Sequence, residues 1–451
     1  MRLSCVMGVQ GRGIIVCSAL IFILSLLSAS CGNKRGRNMG ASPATVLPVE
    51  RSLPPLPLRP LSPKLREMRA RAMEVSSRLR ELDWKNEVGM AELSGWEYGT
   101  RANEMAQLLG GDELRALGKL ASAGGVLPEG TDLVSLGASF LAVSASATYS
   151  PLDKQILLVD KTHDDSLVTH EFVHALQDQH FDLMKLLVVR PYSFDRTEAV
   201  FAVIEGDAMN VQRRAEEGDA YGRRSLDDIA RQESERFSQY RAGAGKLFPP
   251  LLIETFIFRY RDGARFVEAV RRRGGQRGVD ELFQRPPASS EQVLHPEKYL
   301  QREAPLDVRV DEDGFKGLGF SLTSSTPIGE IGVRGLLMAG VGEQEALRGA
   351  NGWGGDRAYF FERGQGAAPL FVWKTVWDSR DDAEEFFRTY SDLQRRRAKA
   401  KPDKTSNAGG EAQAIWREDG RITLAQLAGD SVIILRGLEP DVKSALDPSR
   451  R

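Results

Sequence analysis

Four of the five histidines in this 451-residue chain fall between positions 163 and 180. Within that window stands His170-Glu171-Phe172-Val173-His174, an H-E-x-x-H. On a helix, residues four apart share a face, so these two imidazoles can meet one metal ion. Glu171 then lies beside the first ligand, within reach of a water at that ion, and can act as general base. The neighbourhood suits a helix. Thr162, Asp164, Asp165 and Ser166 offer N-cap oxygens and first-turn acids. Leu167, Val168, Phe172, Ala175 and Leu176 supply an apolar face at helical spacing. Without a metal, the same pattern is an amphipathic helix with solvated or hydrogen-bonded histidines.

A catalytic zinc site takes three protein ligands and keeps one position open. Glu205, in Glu205-Gly206-Asp207-Ala208, is the candidate for the third. It sits in a second helical pattern, with Val203 and Ile204 before it and Ala208, Met209 and Val211 after. A carboxylate in such surroundings is costly to bury unless paired or metal-bound. Glu198 and Asp207 are its rivals, and Asp207 is also a candidate for orienting a ligating imidazole.

His170-Glu171-x-x-His174 followed by Glu205-Gly206-x-Ala208 resembles the gluzincin group of zinc metallopeptidases, the clan that includes thermolysin. The longer run from His170 to Leu183, H-E-F-V-H-A-L-Q-D-Q-H-F-D-L, is similar to a narrower group of prokaryotic envelope proteins. These share the P-P-x-S-x-E-Q-x-L-H-P-E-K-Y stretch found here from Pro286 to Tyr299, and the Gly352–Arg357 segment Gly-Trp-Gly-Gly-Asp-Arg. The resemblance implies a mostly helical α+β fold, a gluzincin-like domain with an α+β C-terminal segment. It implies Zn2+ held by His170, His174 and Glu205, with Glu171 as general base in the hydrolysis of a peptide or protein substrate. Met209 stands where the thermolysin pattern has a second-shell aspartate, so outer-shell roles do not carry over. In gluzincins a strand before the H-E-x-x-H helix often forms the edge along which substrate lies, and Gln155–Val159 is the corresponding stretch here.

A formal net charge of −1 gives no electrostatic case for nucleic acid or an acidic membrane surface. The N-terminus reads as a targeting segment. Arg2 and Arg12 precede an apolar run, Gly13 to Leu27, too short to span a membrane comfortably. Ser28-Ala29-Ser30-Cys31 resembles a bacterial lipoprotein cleavage box, with Cys31 lipidated; ordinary secretion is the alternative. Cys5 and Cys17 lie in the removable part, which leaves no internal disulfide and no cysteine-only zinc site. The expected organisation is a signal peptide over 1–30, a lipidated Pro-rich tether over 31–63, a helical metallopeptidase-like domain over 64–302 and an α+β domain over 303–451. Membrane attachment through Cys31 implies a bacterial cell-envelope protein, periplasmic or surface-exposed. Gly32, where Asp would retain a lipoprotein at the inner membrane, favours the outer membrane.

The remaining expectations concern single segments. Residues 64–120 read as helical, with a break at Gly110-Gly111. Leu133 to Ala147 suits either a helix or a buried strand. Ser290 is a candidate N-cap for a helix from Glu291. His295, and Tyr299 after it, are candidates for stabilising an oxyanion across the cleft; packing or capping is the plainer role for His295. Leu306–Val310 reads as a strand, and Trp353 as an aromatic displayed on a tight loop. Function narrows to an exported zinc metallohydrolase, foremost a peptidase. The competitors are a non-catalytic metal-binding envelope lipoprotein and a zinc amidase acting on cell-wall peptide.

Overall fold

The computed structural model describes residue 56 and residues 59–446, apart from 145, 160–163, 188–191, 365, 399–401, 403 and 409–410. The signal segment, Cys31, nearly all of the tether, Thr162 and His163 therefore lie outside the described residues. The fold is α+β and mostly helical. No helix among the described residues is long and apolar enough to cross a membrane.

The chain enters through α1 (Pro63–Arg80), β1 (Gly89–Glu92) and α2 (Gly95–Ala123). Ser62 and Ser94 cap the two helices, the latter in a reciprocal box with Glu97. The α2 helix runs straight through Gly110-Gly111, so the expected break is absent. Two glycines cost helix propensity, but a long helix packed on its neighbours absorbs that. Next come α3 (Leu133–Ser144), β2 (Ala147–Ser150) and β3 (Gln155–Leu158). These strands make a small sheet in the order β1-β3-β2, with β1 parallel and β2 antiparallel to β3. β3 is thus central, with both edges paired. It cannot receive a substrate strand, and the expectation for Gln155–Val159 is overturned by β1, which the sequence did not announce.

Two helices follow that carry the candidate site, α4 (Asp165–Phe181) and, after the short α5 (Leu183–Leu187), α6 (Phe194–Glu217). Asp164 caps α4 by accepting from the Ser166 amide. Every α4 residue from Leu167 to Asp178 is buried, so α4 has no solvated face there. Leu167, Val168, Phe172 and Ala175 pack with Met68 and Ala72 of α1 and with Met90, Ile156 and Leu158 of the sheet. The helical part closes with α7 (Asp219–Gly222), α8 (Leu226–Ala244), α9 (Pro250–Gln284), α10 (Ser290–Leu294) and α11 (Pro296–Gln301). Gly275 kinks α9 at φ 62. Ser289, not Ser290, is the N-cap of α10.

The C-terminal part holds α12 (Glu312–Gly317), β4 (Ser321–Thr326), α13 (Gly329–Leu337), α14 (Glu343–Ala350), β5 (Trp353–Glu362) and β6 (Leu370–Trp377). It ends with α15 (Arg380–Ala398), β7 (Lys404–Ala408), β8 (Glu411–Glu418), β9 (Arg421–Ala428), β10 (Ser431–Gly437) and α16 (Glu439–Ala445). Its seven strands form one antiparallel sheet, β4-β5-β6-β10-β9-β8-β7. Leu306–Val310 belongs to no strand; it is tied to β5 through the Leu306 amide on Gly354 O and the Tyr359 hydroxyl on Val308 O. Trp353 begins β5 and is buried within the apolar cluster that also holds Trp373, Trp377 and Phe386, so it displays nothing. The two parts share an apolar seam. A cavity of about 100 Å³ lies in it, lined by Leu133 and Leu136 of α3, Leu251 of α9, Leu336 of α13, and Phe371 and Trp373 of β6.

Candidate metal centre

The α4 helix brings His170 and His174 onto one face, and α6 crosses it with Glu205 pointing at both. His170 Nε2 lies 3.2 Å and His174 Nε2 3.4 Å from Glu205 Oε2. All three side chains are buried, and their ligand atoms lie within 4.8 Å of one another, a group that could hold a metal ion. The depth of Glu205 depends on how closely α6 meets α9. A Cβ on Gly206 would sit 2.2 Å from the Gly263 carbonyl oxygen, and one on Gly263 would sit 2.3 Å from that of Ala202. The glycine after Glu205 is therefore a contact surface, not a flexible joint.

The hydrogen bonds behind the ring decide which nitrogen faces the site. His174 Nδ1 meets Gln177 Oε1 at 2.8 Å, and His170 Nδ1 meets Gln212 Oε1 at 3.1 Å. The amide orientations are fixed from their far ends. Gln177 Nε2 donates to Ile204 O at 3.0 Å and to Asp207 Oδ2 at 2.9 Å, and Gln212 Nε2 donates to Glu216 Oε1 at 3.1 Å. An amide oxygen only accepts, so each Nδ1 carries the proton. Neutral imidazoles then turn bare Nε2 lone pairs toward Glu205, and three acceptor atoms converge. His174 Nε2 accordingly makes no hydrogen bond of acceptable geometry, despite its nearness to Glu205. Buried acceptors without donors are unfavourable by roughly 1–3 kcal/mol each, and a cation among them removes that cost. A proton and a metal ion are the two candidates. Burial works against protonating His174, but the Glu205 carboxylate outweighs it and raises the imidazole to about 9 in the metal-free protein. Burial likewise works to raise Glu205, and the two histidines more than reverse it, so its carboxyl lies below the usual range.

Glu171 is buried next to these ligands without joining them. Its Oε2 accepts from the Tyr149 amide of β2 at 2.6 Å. Burial pushes its carboxyl up, the direction a proton acceptor needs to work near neutral pH. Asp178 anchors this arrangement, because its Oδ2 accepts from the Tyr149 hydroxyl and from Lys154 Nζ, both at 2.6 Å. Tyr260 stacks beside His170, with centroids 6.3 Å apart.

The rivals have other partners. Glu198 forms a two-pronged pair with Arg259, 2.7 Å on each side. Asp207 touches neither imidazole; it acts one step removed, through Gln177, and is itself held by Arg80 Nε at 2.7 Å. Arg80 is wholly buried between Phe181 and Phe283 and reaches Asp280 at 2.7 Å. His295 is not brought to the centre. Its Nε2 lies 2.9 Å from Glu330 Oε2 of α13. The α10 segment before it is tied to α6 at Asp195, ten residues and about 15 Å of helix from Glu205. Tyr299 donates to the Arg285 carbonyl instead. Gln177 and Gln212 went unread in the sequence, although their spacing was a usable signal: Gln177 is one turn beyond His174, and Gln212 two turns beyond Glu205. Arg80, Tyr149 and Tyr260 left no local signal, since only the fold brings them near. A second acidic group, Glu291, Glu303 and Asp378, already has its cation, because Lys298 Nζ lies 2.7–2.8 Å from all three.

Residues 320–447, the seven-stranded sheet and its helices, match a family described as a domain of unknown function (DUF8575). No curated protein matches the chain, and no solved structure does.

Proposed function

We propose that this protein is a zinc-dependent hydrolase of the gluzincin type that acts on peptide bonds, exported and held at the bacterial envelope by a lipid on Cys31. One observation carries the metal reading: two imidazole Nε2 atoms and a carboxylate oxygen converge in a buried space, with both Nδ1 atoms committed to glutamine oxygens. That donor set fits zinc. Bound there, zinc supplies Lewis-acid polarisation of a carbonyl oxygen and lowers the pKa of water. The chain's own residues do the rest. Glu171 accepts a proton on its carboxylate and returns it to the leaving amine. The Tyr149 amide fixes where that carboxylate points. Gln177 and Gln212 hold the two Nδ1 protons and so orient the rings with Nε2 toward the centre.

Metal analysis of the purified chain with a broad peptide-cleavage screen is the test. We expect one zinc per chain, lost in His174→Ala. Glu171→Gln should keep zinc while cleavage falls by roughly 10²–10⁴, the scale of losing a general base. Full burial of the three ligands favours a second reading, a structural metal site in a non-catalytic envelope protein. Stoichiometric zinc without cleavage of any peptide would select it, and cleavage confined to cell-wall peptides would select an amidase. The anchor is tested separately. Cys31→Ala should release the protein from membranes or block its processing, and unchanged partitioning with normal processing would remove the lipid from the proposal.

A further inference from the structure

Behind the metal centre, on the Nδ1 side of His170, runs a groove of about 940 Å³. Its walls are α1, the first turns of α4, the last turn of α6 and α7, and Arg271 of α9 also lines it. The α1 helix spans its length. At one end Arg71 pairs with Asp165, Nε to Oδ2 3.1 Å. At the other, Glu81, the C-cap of α1, lies close enough to Arg271 to act on its charge. Ten residues of helix separate the two ends, about 15 Å.

The ends differ in sign. Among the described residues, Asp164, Asp165 and Glu216 line the first beside Arg71, and Glu216 is also held by Arg213 at 2.8 Å and by Ser166. Among the described residues, Arg78, Arg214 and Arg271 line the second beside Glu81. Behind them the buried Glu268 is shared by Arg214, Arg271 and Arg272, three guanidinium groups on one carboxylate. Asp219 of α7 and Arg223, its C-cap, offset each other, and Ala72, Val75 and Leu79 give one wall an apolar strip. Such a groove suits a molecule with a cation at one end, an anion about 15 Å away and a largely apolar middle. An extended peptide of about four residues, at roughly 3.4 Å per residue, has that form.

We propose that this groove binds a short peptide with free termini, its ammonium at Asp164 and Asp165 and its carboxylate at Arg78 and Arg271. The site is separate from the metal centre but linked to it. Glu216 accepts from Gln212, and Gln212 holds His170 Nδ1, so an ammonium drawing on Glu216 reaches the outer hydrogen bond of a metal ligand. Peptides of this size are what a peptidase releases, and that link rests on the proposed function; the binding does not.

Calorimetric titration of the full chain carrying Glu171→Gln, which prevents turnover, is the experiment. Tetra-alanine should bind saturably. N-acetyl and C-amide forms should each bind about tenfold more weakly, a loss of about 1.4 kcal/mol. Arg271→Glu should weaken binding by a similar factor without changing zinc content. Arg78→Glu, at an exposed position, provides the same reading if Arg271→Glu fails to fold. Equal binding of free and capped peptides, undiminished binding in the arginine variants, or no binding of tetra-alanine at millimolar concentration would each overturn the proposal. Charge-dependent binding by a chain whose wild type cleaves nothing would leave the groove standing and remove the peptidase.

Discussion

Glu198 and Glu205 lie two turns apart on α6, both buried, and differ only in what faces them. Glu198 meets a guanidinium and Glu205 meets two imidazoles. Their alanine variants should therefore fail in different ways. Glu205→Ala should lose stoichiometric zinc, since two imidazoles alone hold it poorly. Glu198→Ala should keep zinc and lose stability, because Arg259 is then buried without its carboxylate, at about 3–5 kcal/mol. Zinc content and thermal melting of the two variants check this, and the opposite pattern would reverse the ligand assignment. The same contrast shows how far residue types alone can be read. Both glutamates looked alike in a helical, apolar stretch, and only Arg259, sixty-one positions away in the chain, tells them apart.

At the scale of elements, the α6–α9 crossing sets the depth of Glu205. Alanine is normally the better helix former, by about 1 kcal/mol over glycine. At Gly206 that preference is outweighed, because the added Cβ would meet backbone, 2.2 Å from the Gly263 oxygen, and backbone cannot rotate aside. Gly206→Ala should lower stability by about 3 kcal/mol, the upper end of overpacking penalties. It should also weaken zinc, as α6 shifts off α9 and carries Glu205 with it. A denaturation curve and a competitive zinc titration measure the two effects, and a variant as stable as wild type would show that the crossing relaxes easily. The motif glycine was visible in the sequence, but its reason was not, since Gly263 sits in an unremarkable part of α9.

Across the whole molecule, the two segments that resembled envelope proteins outside the metal helices meet at one place. The Ser290 amide donates to Asp195 of α6 at 2.8 Å, and its hydroxyl accepts from Ile331 of α13. Asp356 of β5 accepts from the Ile328 and Gly329 amides and, at 2.6 Å, from Trp373 Nε1. Gly329 lies between the two acids, and a Cβ there would overlap Asp195. Burial raises Asp195 to about 8 and Asp356 to about 6. A carboxyl held protonated in the fold stabilises fully below its unfolded pKa near 4, and that stability falls as pH rises through the folded value. Stability should thus decline between about pH 4 and pH 8 on account of Asp195. Asp195→Asn retains an oxygen for the Ser290 amide and has no proton to lose, so its melting temperature should match wild type near pH 3.5 and exceed it by several degrees near pH 8.5. Melting curves at the two pH values check this, and equal differences at both would mean that Asp195 does not titrate in that range.

The sequence by itself determined the two helices that carry the candidate ligands, the order of most elements after residue 320, and the approximate limits of β3, β6, β9 and β10. Those features are local: helical spacing, capping oxygens and runs of β-formers act over a few residues. It also held the identities of His170, His174 and Glu205, because the first two are fixed by one helix face and the third by a carboxylate among apolar neighbours. Tertiary structure alone decided what surrounds them. It placed β1 beside β3 and so removed the expected free edge, buried Trp353 instead of displaying it, and gave His295 to Glu330. It put the Gln212 oxygen behind His170, forty-two positions away. Each of these depends on partners far away in the chain, and buried polar groups are satisfied by whatever donor or acceptor the packing delivers, which no local spacing encodes.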